Sequence, residues 1–454
     1  MRKDHLFQWQ IRIDDGDGLD LPLSEASGSL YIPDSDISAD SLEYLKKKNP
    51  LRFEYLVGPG MLEFGLTEES VIWTAKDTNI SNLCDKFRTN SIKASEEKIL
   101  SAHEELALSH IFLLEEGINK GLRQYIDDET WTEIFKKFRL EYKYVNVDES
   151  VWEIWNNIVK ITCKQIDDDQ FKEEVKDYLS NYNFKSKNGN DDNQEEIIKS
   201  IFINLVDKYQ LDEDAIVEDT HIHKYLSPLI DPFFPENQKI KVEWANKMSI
   251  SSAEDRRSFD PSLFGSKPDF LIRTTNTNYV ELLLAEIKPT KVSIKLFSND
   301  LVKLGKEMKS SIDKIIDEGL LDVSVYGIHG AGEICKCYIM DLKSEGIYRM
   351  MVLGKFIIPR DPTSWATVIN CFQILITLKG LVYESANNYY DTSRQILCEN
   401  SEKTTYQQKF KRHGFHPPLK LMVNELVNKS NLLSTKQKII EGKDEVIGKL
   451  KTFA

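Results

Sequence analysis

Gly265-Ser266-Lys267-Pro268-Asp269-Phe270-Leu271-Ile272-Arg273, then Thr274-Thr275-Asn276-Thr277-Asn278, then Tyr279 to Lys288, closing on Leu282-Leu283-Leu284-Ala285-Glu286-Ile287-Lys288, is the stretch whose reading decides the fold. Two apolar runs flank a Thr/Asn-rich segment, the pattern of a β-hairpin. In an antiparallel pair the start of the first strand lies beside the end of the second, so Asp269 falls opposite Glu286 or its neighbour. Glu286 and Lys288 are two apart and share one face of the pleat. If the turn keeps Asp269 on that face too, two carboxylates and an ammonium converge on one spot. The competing reading is a surface salt bridge on a half-buried strand.

Leu282 to Ala285 is apolar on both faces, as in a strand covered by helices on each side. A carboxylate at the end of such a strand is costly to desolvate unless it is paired or binds a metal. Hard oxygen donors of this kind suit Mg²⁺ or Mn²⁺, which take a few protein oxygens and keep waters for chemistry.

Upstream, a helix expected from Ala215 to Phe234 aligns Glu218 with Ile222, Leu226, Leu229 and Phe233, with a kink at Pro228. Glu218 is therefore a candidate to complete or support the metal site; stabilising the helix's first turn is an equal alternative. His221 and His223 point in different directions and read as packing residues. Downstream, Asn299 is a candidate cap for a helix with the stripe Leu301, Leu304, Met308, Ile312 and Ile315, ending at Gly319. Lys303 and Lys306 lie one turn apart on it. With Lys288, Lys291, Lys295 and Lys309 they make this stretch locally basic, which suits either phosphate contact or a solvated face.

The chain around this core has 454 residues and a formal net charge of −14. That length predicts two or three domains. The acidity argues against a protein that coats nucleic acid non-specifically, although local basic patches remain able to bind it. Residues 1–95 alternate short apolar runs with turns and read as a small strand-containing region; Asp14-Asp15-Gly16-Asp17-Gly18 there lacks the ligand pattern of a calcium loop. Residues 96–190 take a helical period, from Ile99, Leu106, Ile111 and Leu113 through Trp131, Phe135 and Phe138 to Trp152, Trp155 and Ile158, and end in a polar linker at 183–193. Alternating helices and strands over 195–390 indicate an α/β core. Residues 400–454 carry a basic segment, Lys403 to Lys420, and a helical tail, which together with the N-terminal helices are candidate contacts for a protein partner.

Six scattered cysteines read as buried thiols rather than disulfides or zinc ligands. No apolar run approaches the length of a membrane span, and the start of the chain lacks a signal core, so an intracellular protein that engages no membrane is expected, in the nucleus or the cytoplasm. Lys409-Phe410-Lys411-Arg412 is a short pattern of the nuclear-targeting kind.

Lys267-Pro268-Asp269, a turn, then Glu286-Ile287-Lys288 resembles the signature of the PD-(D/E)XK nuclease superfamily, whose fold is restriction-endonuclease-like. The resemblance covers residues 195–390. It extends to the helix bearing Glu218, the tryptophan strand Val242-Glu243-Trp244, the segment Ser251 to Arg257, the lysine helix after Lys288 and the strand from Val323 to Ile328. Fungal lineage-expanded members of the superfamily are the most similar in flavour. It implies an α/β core of helix, three-stranded meander, helix and strand, between an N-terminal α+β region and a helical C-terminal tail. It further implies Asp269, Glu286 and the Ile287 carbonyl as ligands of Mg²⁺ or Mn²⁺. Lys288 would orient the attacking water, Glu218 would be an auxiliary acid, and Lys303, Lys306 and Lys291 would be phosphate contacts on nucleic acid, DNA foremost. The implied reaction is metal-assisted phosphodiester hydrolysis. The alternative is a catalytically silent nucleic-acid- or protein-binding module on the same fold.

Overall fold

Strand pairing ties residue 111 to residue 357 in one mixed sheet of seven strands. The computed structural model describes residues 70–95, 98–164, 167–182, 193–208, 218–245, 247–259, 262, 264–276, 279–289, 294–320, 324–399 and 410–412, without the side chains of 218–219, 259, 294–298 and 395–399. All of these fall in the unit Pro59–Phe415. The strands expected before residue 70, most of the 183–193 linker, Lys291 and the tail beyond 412 lie outside the described residues.

The strands are β1 (Ile111–Leu114), β2 (Ile240–Trp244), β3 (Phe270–Thr274), β4 (Glu281–Lys288), β5 (Val325–Ala331), β6 (Ile334–Ser344) and β7 (Ile347–Ile357), in the order β1-β7-β6-β5-β4-β3-β2. β2, β3 and β4 form an antiparallel meander. β5 then runs parallel to β4 and opens a second meander with β6 and β7. β1 adds an edge parallel to β7. The chain is thus α/β, with the parallel pair β4 and β5 joined by a helical crossover.

The helices are α1 (Ile80–Ala94), α2 (Ala102–Leu108), α3 (Asp128–Glu141), α4 (Glu149–Thr162), α5 (Asp168–Asn181), α6 (Gln194–Lys208), α7 (Ile250–Phe259), α8 (Ile294–Asp317) and α9 (Val368–Glu399). The stripe Trp131, Ile134, Phe135 and Phe138 is buried on α3, whose N-cap Asp127 accepts from the Thr130 N–H. Tyr326 donates to the Leu381 carbonyl of α9, while Gly327 next to it faces Leu304 and Met308 of α8. Successive strand residues point to opposite faces, so α8 and α9 cover opposite sides of the sheet. A Cβ on Gly327 would meet Met308 Sδ at 2.6 Å; glycine lets α8 approach this closely. Residues 362–394 are long and apolar enough to cross a membrane by length and composition. In this unit Val368, Phe372, Leu375 and Leu378 of that helix are buried, with Phe372 against Phe233.

Two local expectations change, and one segment without an expected form gains one. Ile111–Leu114 is a strand, not part of a helix, and all four residues are buried. A short wholly apolar run carries no period to separate the two forms, and its partner in β7 is remote in sequence. α8 begins at Ile294, so Asn299 is an exposed residue inside the helix rather than its cap. An exposed asparagine there costs only the modest propensity difference. Its end matches the sequence: Gly319 takes φ +83°, and Gly319 and Leu320 close on the carbonyls of Ile316 and Ile315. Finally, Ser251 to Arg257 lies on a helix, α7, inserted between β2 and β3.

Upstream of β2, the path over residues 218–233 is helical but broken. It is widened over Ile222–Leu226 and tightened over Asp231–Phe233, and Pro228, which lacks an N–H, stands between. Ile222, Leu226, Leu229 and Phe233 are buried. Cys84, Cys335, Cys337 and Cys371 are buried free thiols, while Cys163 is exposed.

Candidate active site

Register sets the geometry. Phe270 pairs with Ala285 and Leu271 with Leu284, which brings Asp269, one residue before β3, opposite Glu286. The Asp269 N–H donates to the Ala285 carbonyl at 2.9 Å, and the Asp269 carbonyl accepts from Ala245 N–H at 2.8 Å. Asp269 Oδ2 then accepts from the Ile287 N–H at 2.7 Å. The carboxylate continues the ladder where the strand backbone stops, which fixes its direction. Ile287 is itself fully buried, and its N–H is committed to Asp269.

The polar line continues across the sheet on the α8 side. His329 of β5 stands beside Glu286, Lys336 of β6 beside His329, and Lys355 of β7 beside Lys336. Lys288, half-buried, lies one pleat further along β4, with its carbonyl accepting from Gly332 N–H at 2.8 Å. Burial, with the charges of Lys336 and Lys288, pushes the His329 imidazole down to about 3. It is therefore neutral near pH 7. Lys336 is ion-paired to Glu115, just beyond β1.

Glu286 is only 1% exposed, and its Oε1 meets the Lys303 ammonium of α8. Lys303 also lies 3.8 Å from Glu307, likewise 1% exposed, and donates to the Lys267 carbonyl at 3.0 Å. Burial pushes the Glu286 carboxyl well above the ordinary carboxylate range, Glu307 and Asp269 push it further, and Lys303 opposes them. Burial likewise pushes Glu307 up to about 7, against the pull of Lys303, Ser266 and Arg256. Burial alone would lower Lys303; the Glu307 and Glu286 carboxylates reverse this and hold its ammonium above the ordinary lysine value.

Two buried acids in this region were not singled out in the sequence. Glu307 follows Lys303 by one turn and sits between Leu304 and Met308 on the apolar stripe, the same signal that marked Glu218. Glu281, fully buried, accepts from the Ile250 N–H at 2.7 Å and from Ser311 Oγ at 3.1 Å, capping the start of α7. Arg273 pairs with Glu281 and Ile272 with Leu283, so Leu282 is an extra residue in β4. This bulge lets Glu281 and Glu286, an odd number of residues apart, both reach α8.

Of the remaining sequence candidates, Lys306 is part-exposed and pairs with Glu105 of α2 at 3.3 Å. The backbone of Glu218 starts the broken helical path. His221 stacks near Tyr225 and His223 near Trp244. Among the described residues no group of three or more His, Cys, Asp or Glu side chains is arranged to hold a metal ion. Asp269 and Glu286 thus offer a two-carboxylate donor set, the kind Mg²⁺ accepts when waters complete its shell. Lys303 lies on one of those oxygens. Family models, curated proteins and solved structures all fail to match this chain.

Proposed function

We propose that the unit is a restriction-endonuclease-like core and that it hydrolyses phosphodiester bonds of nucleic acid, DNA foremost, with Mg²⁺ or Mn²⁺. The observation that carries this reading is the opposition of Asp269 and Glu286 at the end of a meander, with Lys288 on the same strand two residues on. The element order around them supports it: a helical segment, β2 to β4, α8, then β5 parallel to β4.

In this reading Asp269, Glu286 and the Ile287 carbonyl hold the ion, which when bound makes water a stronger nucleophile and takes up charge on the scissile phosphate. Lys288 orients the attacking water and steadies the charge that builds on phosphate oxygen. The water oxygen bonds to phosphorus as the P–O bond on the far side breaks; the attacking water gives up a proton to solvent, and the leaving alkoxide oxygen takes one up from solvent. Glu218 is an auxiliary acid, and Lys306 and Lys291 are backbone contacts at the rim. At the lysine end of the sheet the exposed Lys355 gives an otherwise acidic protein a place for phosphate. Incubation of purified protein with plasmid and Mg²⁺ is the test: cleavage lost in Asp269→Ala and Lys288→Ala supports the proposal, and activity indifferent to both rejects it.

A second reading, a catalytically silent binding module, is favoured by the Lys303 ammonium on Glu286. Calorimetric titration with Mn²⁺ separates the two, because the silent module binds none.

A further inference from the structure

Lys303 is an unusual ion-pair partner because it serves two buried carboxylates from different elements, Glu286 of β4 and Glu307 of its own helix. Its third contact is the carbonyl of Lys267, in the segment that leads into Asp269. The Lys303 side chain is 15% exposed and carries its ammonium on a flexible four-carbon stem, so its head is able to swing out while α8 stays in place. A second buried carboxylate adds desolvation cost that a purely structural bridge does not need, and Arg256 offsets only part of it.

We propose that the Lys303 ammonium is the resident cation of the Glu286–Glu307 pair, and that a divalent cation entering the site takes its place on Glu286. The inference rests on Asp269 and Glu286 being the metal-binding acids. An ammonium and a divalent ion repel, so both cannot occupy the same carboxylate oxygen at contact distance. Binding therefore requires Lys303 to leave, and its departure frees the Lys267 carbonyl beside Asp269. Occupancy of the metal site and the setting of the segment before Asp269 are thereby linked. Glu307, which follows Lys303 by one turn, keeps a carboxylate partner within reach of the displaced ammonium. The metal affinity of the native chain is lower than its carboxylates alone would give, because the ion competes with an internal one.

The test is Mn²⁺ binding to the full chain, read by calorimetry and by the Mn²⁺-dependent shift in Tm, in wild type, Lys303→Met and the double variant Lys303→Met/Glu286→Gln. Removing the competitor should tighten Mn²⁺ binding by about tenfold or more and enlarge the Tm shift. The double variant should lose that gain. Lys303→Gln, which keeps a hydrogen-bond donor for Glu286, takes over if the methionine variant does not fold. Wild type that binds Mn²⁺ with an affinity unchanged in the Lys303 variants overturns the competition and leaves the nuclease reading standing. Absence of binding in every form overturns both.

Discussion

Two buried charge clusters sit at different places on the same sheet and are built on different plans. On β6 and β7, Asp341 and Arg349 are register partners, and the guanidinium forks onto the carboxylate with bonds of 2.7 and 2.6 Å. Tyr142 of the loop after α3 adds a hydrogen bond to Asp341 at 2.9 Å. Arg349 also lies 3.7 Å from Glu141, which Lys343 pairs, so two acids meet two bases and the charge balances. At β4 and α8, one lysine faces Glu286 and Glu307, with Asp269 close by. The first cluster is balanced and rigid, the plan of a structural bridge. The second carries surplus acid that burial disfavours, a common mark of a site that binds or reacts.

Breaking the balanced cluster should cost most. Asp341→Asn leaves the buried Arg349 with only the more distant Glu141 and should lower stability by about 3 kcal/mol in denaturant unfolding, with any cleavage by the folded fraction unchanged. The second cluster should behave in the opposite way. Lys288→Met should reduce cleavage by about two to three orders of magnitude while Tm stays near that of wild type.

Next in size is a pH effect. The Glu307 carboxyl lies above its ordinary 4.5, at about 7, so the folded state holds its proton more tightly than the unfolded chain does. Its contribution to stability is full below pH 4.5 and is lost as pH rises through about 7. His329 has the reverse sign: its folded value is lowered from 6.5 to about 3, so stability present above 6.5 falls as pH drops toward 3. Glu307→Gln should remove the first slope and leave the second, a change on the order of 1–2 kcal/mol at pH 7. Unfolding midpoints across pH 4 to 8 would show it, and a slope identical to wild type would remove Glu307 from the account. The smallest effect belongs to Lys306→Ala. Its pair with Glu105 is part-exposed, so stability should change by less than about 1 kcal/mol. The salt dependence of DNA binding should fall by about one charge.

What the sequence made legible was local. The hairpin of β3 and β4, its register and the shared face of Glu286 and Lys288 follow from a turn and a pleat, interactions among residues close in the chain. The edge strand β1 was not legible, because Ile111 pairs with Tyr348 and nothing in Ile111 to Leu114 records a partner so distant. Nor was α7: Ile250–Phe259 has no apolar stripe, and its start is held by Glu281 from another strand. The bulge at Leu282 hid Glu281 for the same reason. Glu307 was within reach, since it lies on the stripe that identified α8. The resemblance implies a phosphate contact for Lys303; in the structure its ammonium is drawn inward onto the buried Glu286.

The most direct measurement is Mn²⁺ binding at the acid pair, by calorimetry on wild type, Asp269→Asn and Glu286→Gln, each checked for an intact fold by circular dichroism. One bound ion in wild type, lost in both variants, is the predicted result. Folded wild type that binds no Mn²⁺, or variants that bind it unchanged, would contradict the assignment of Asp269 and Glu286 as a metal site.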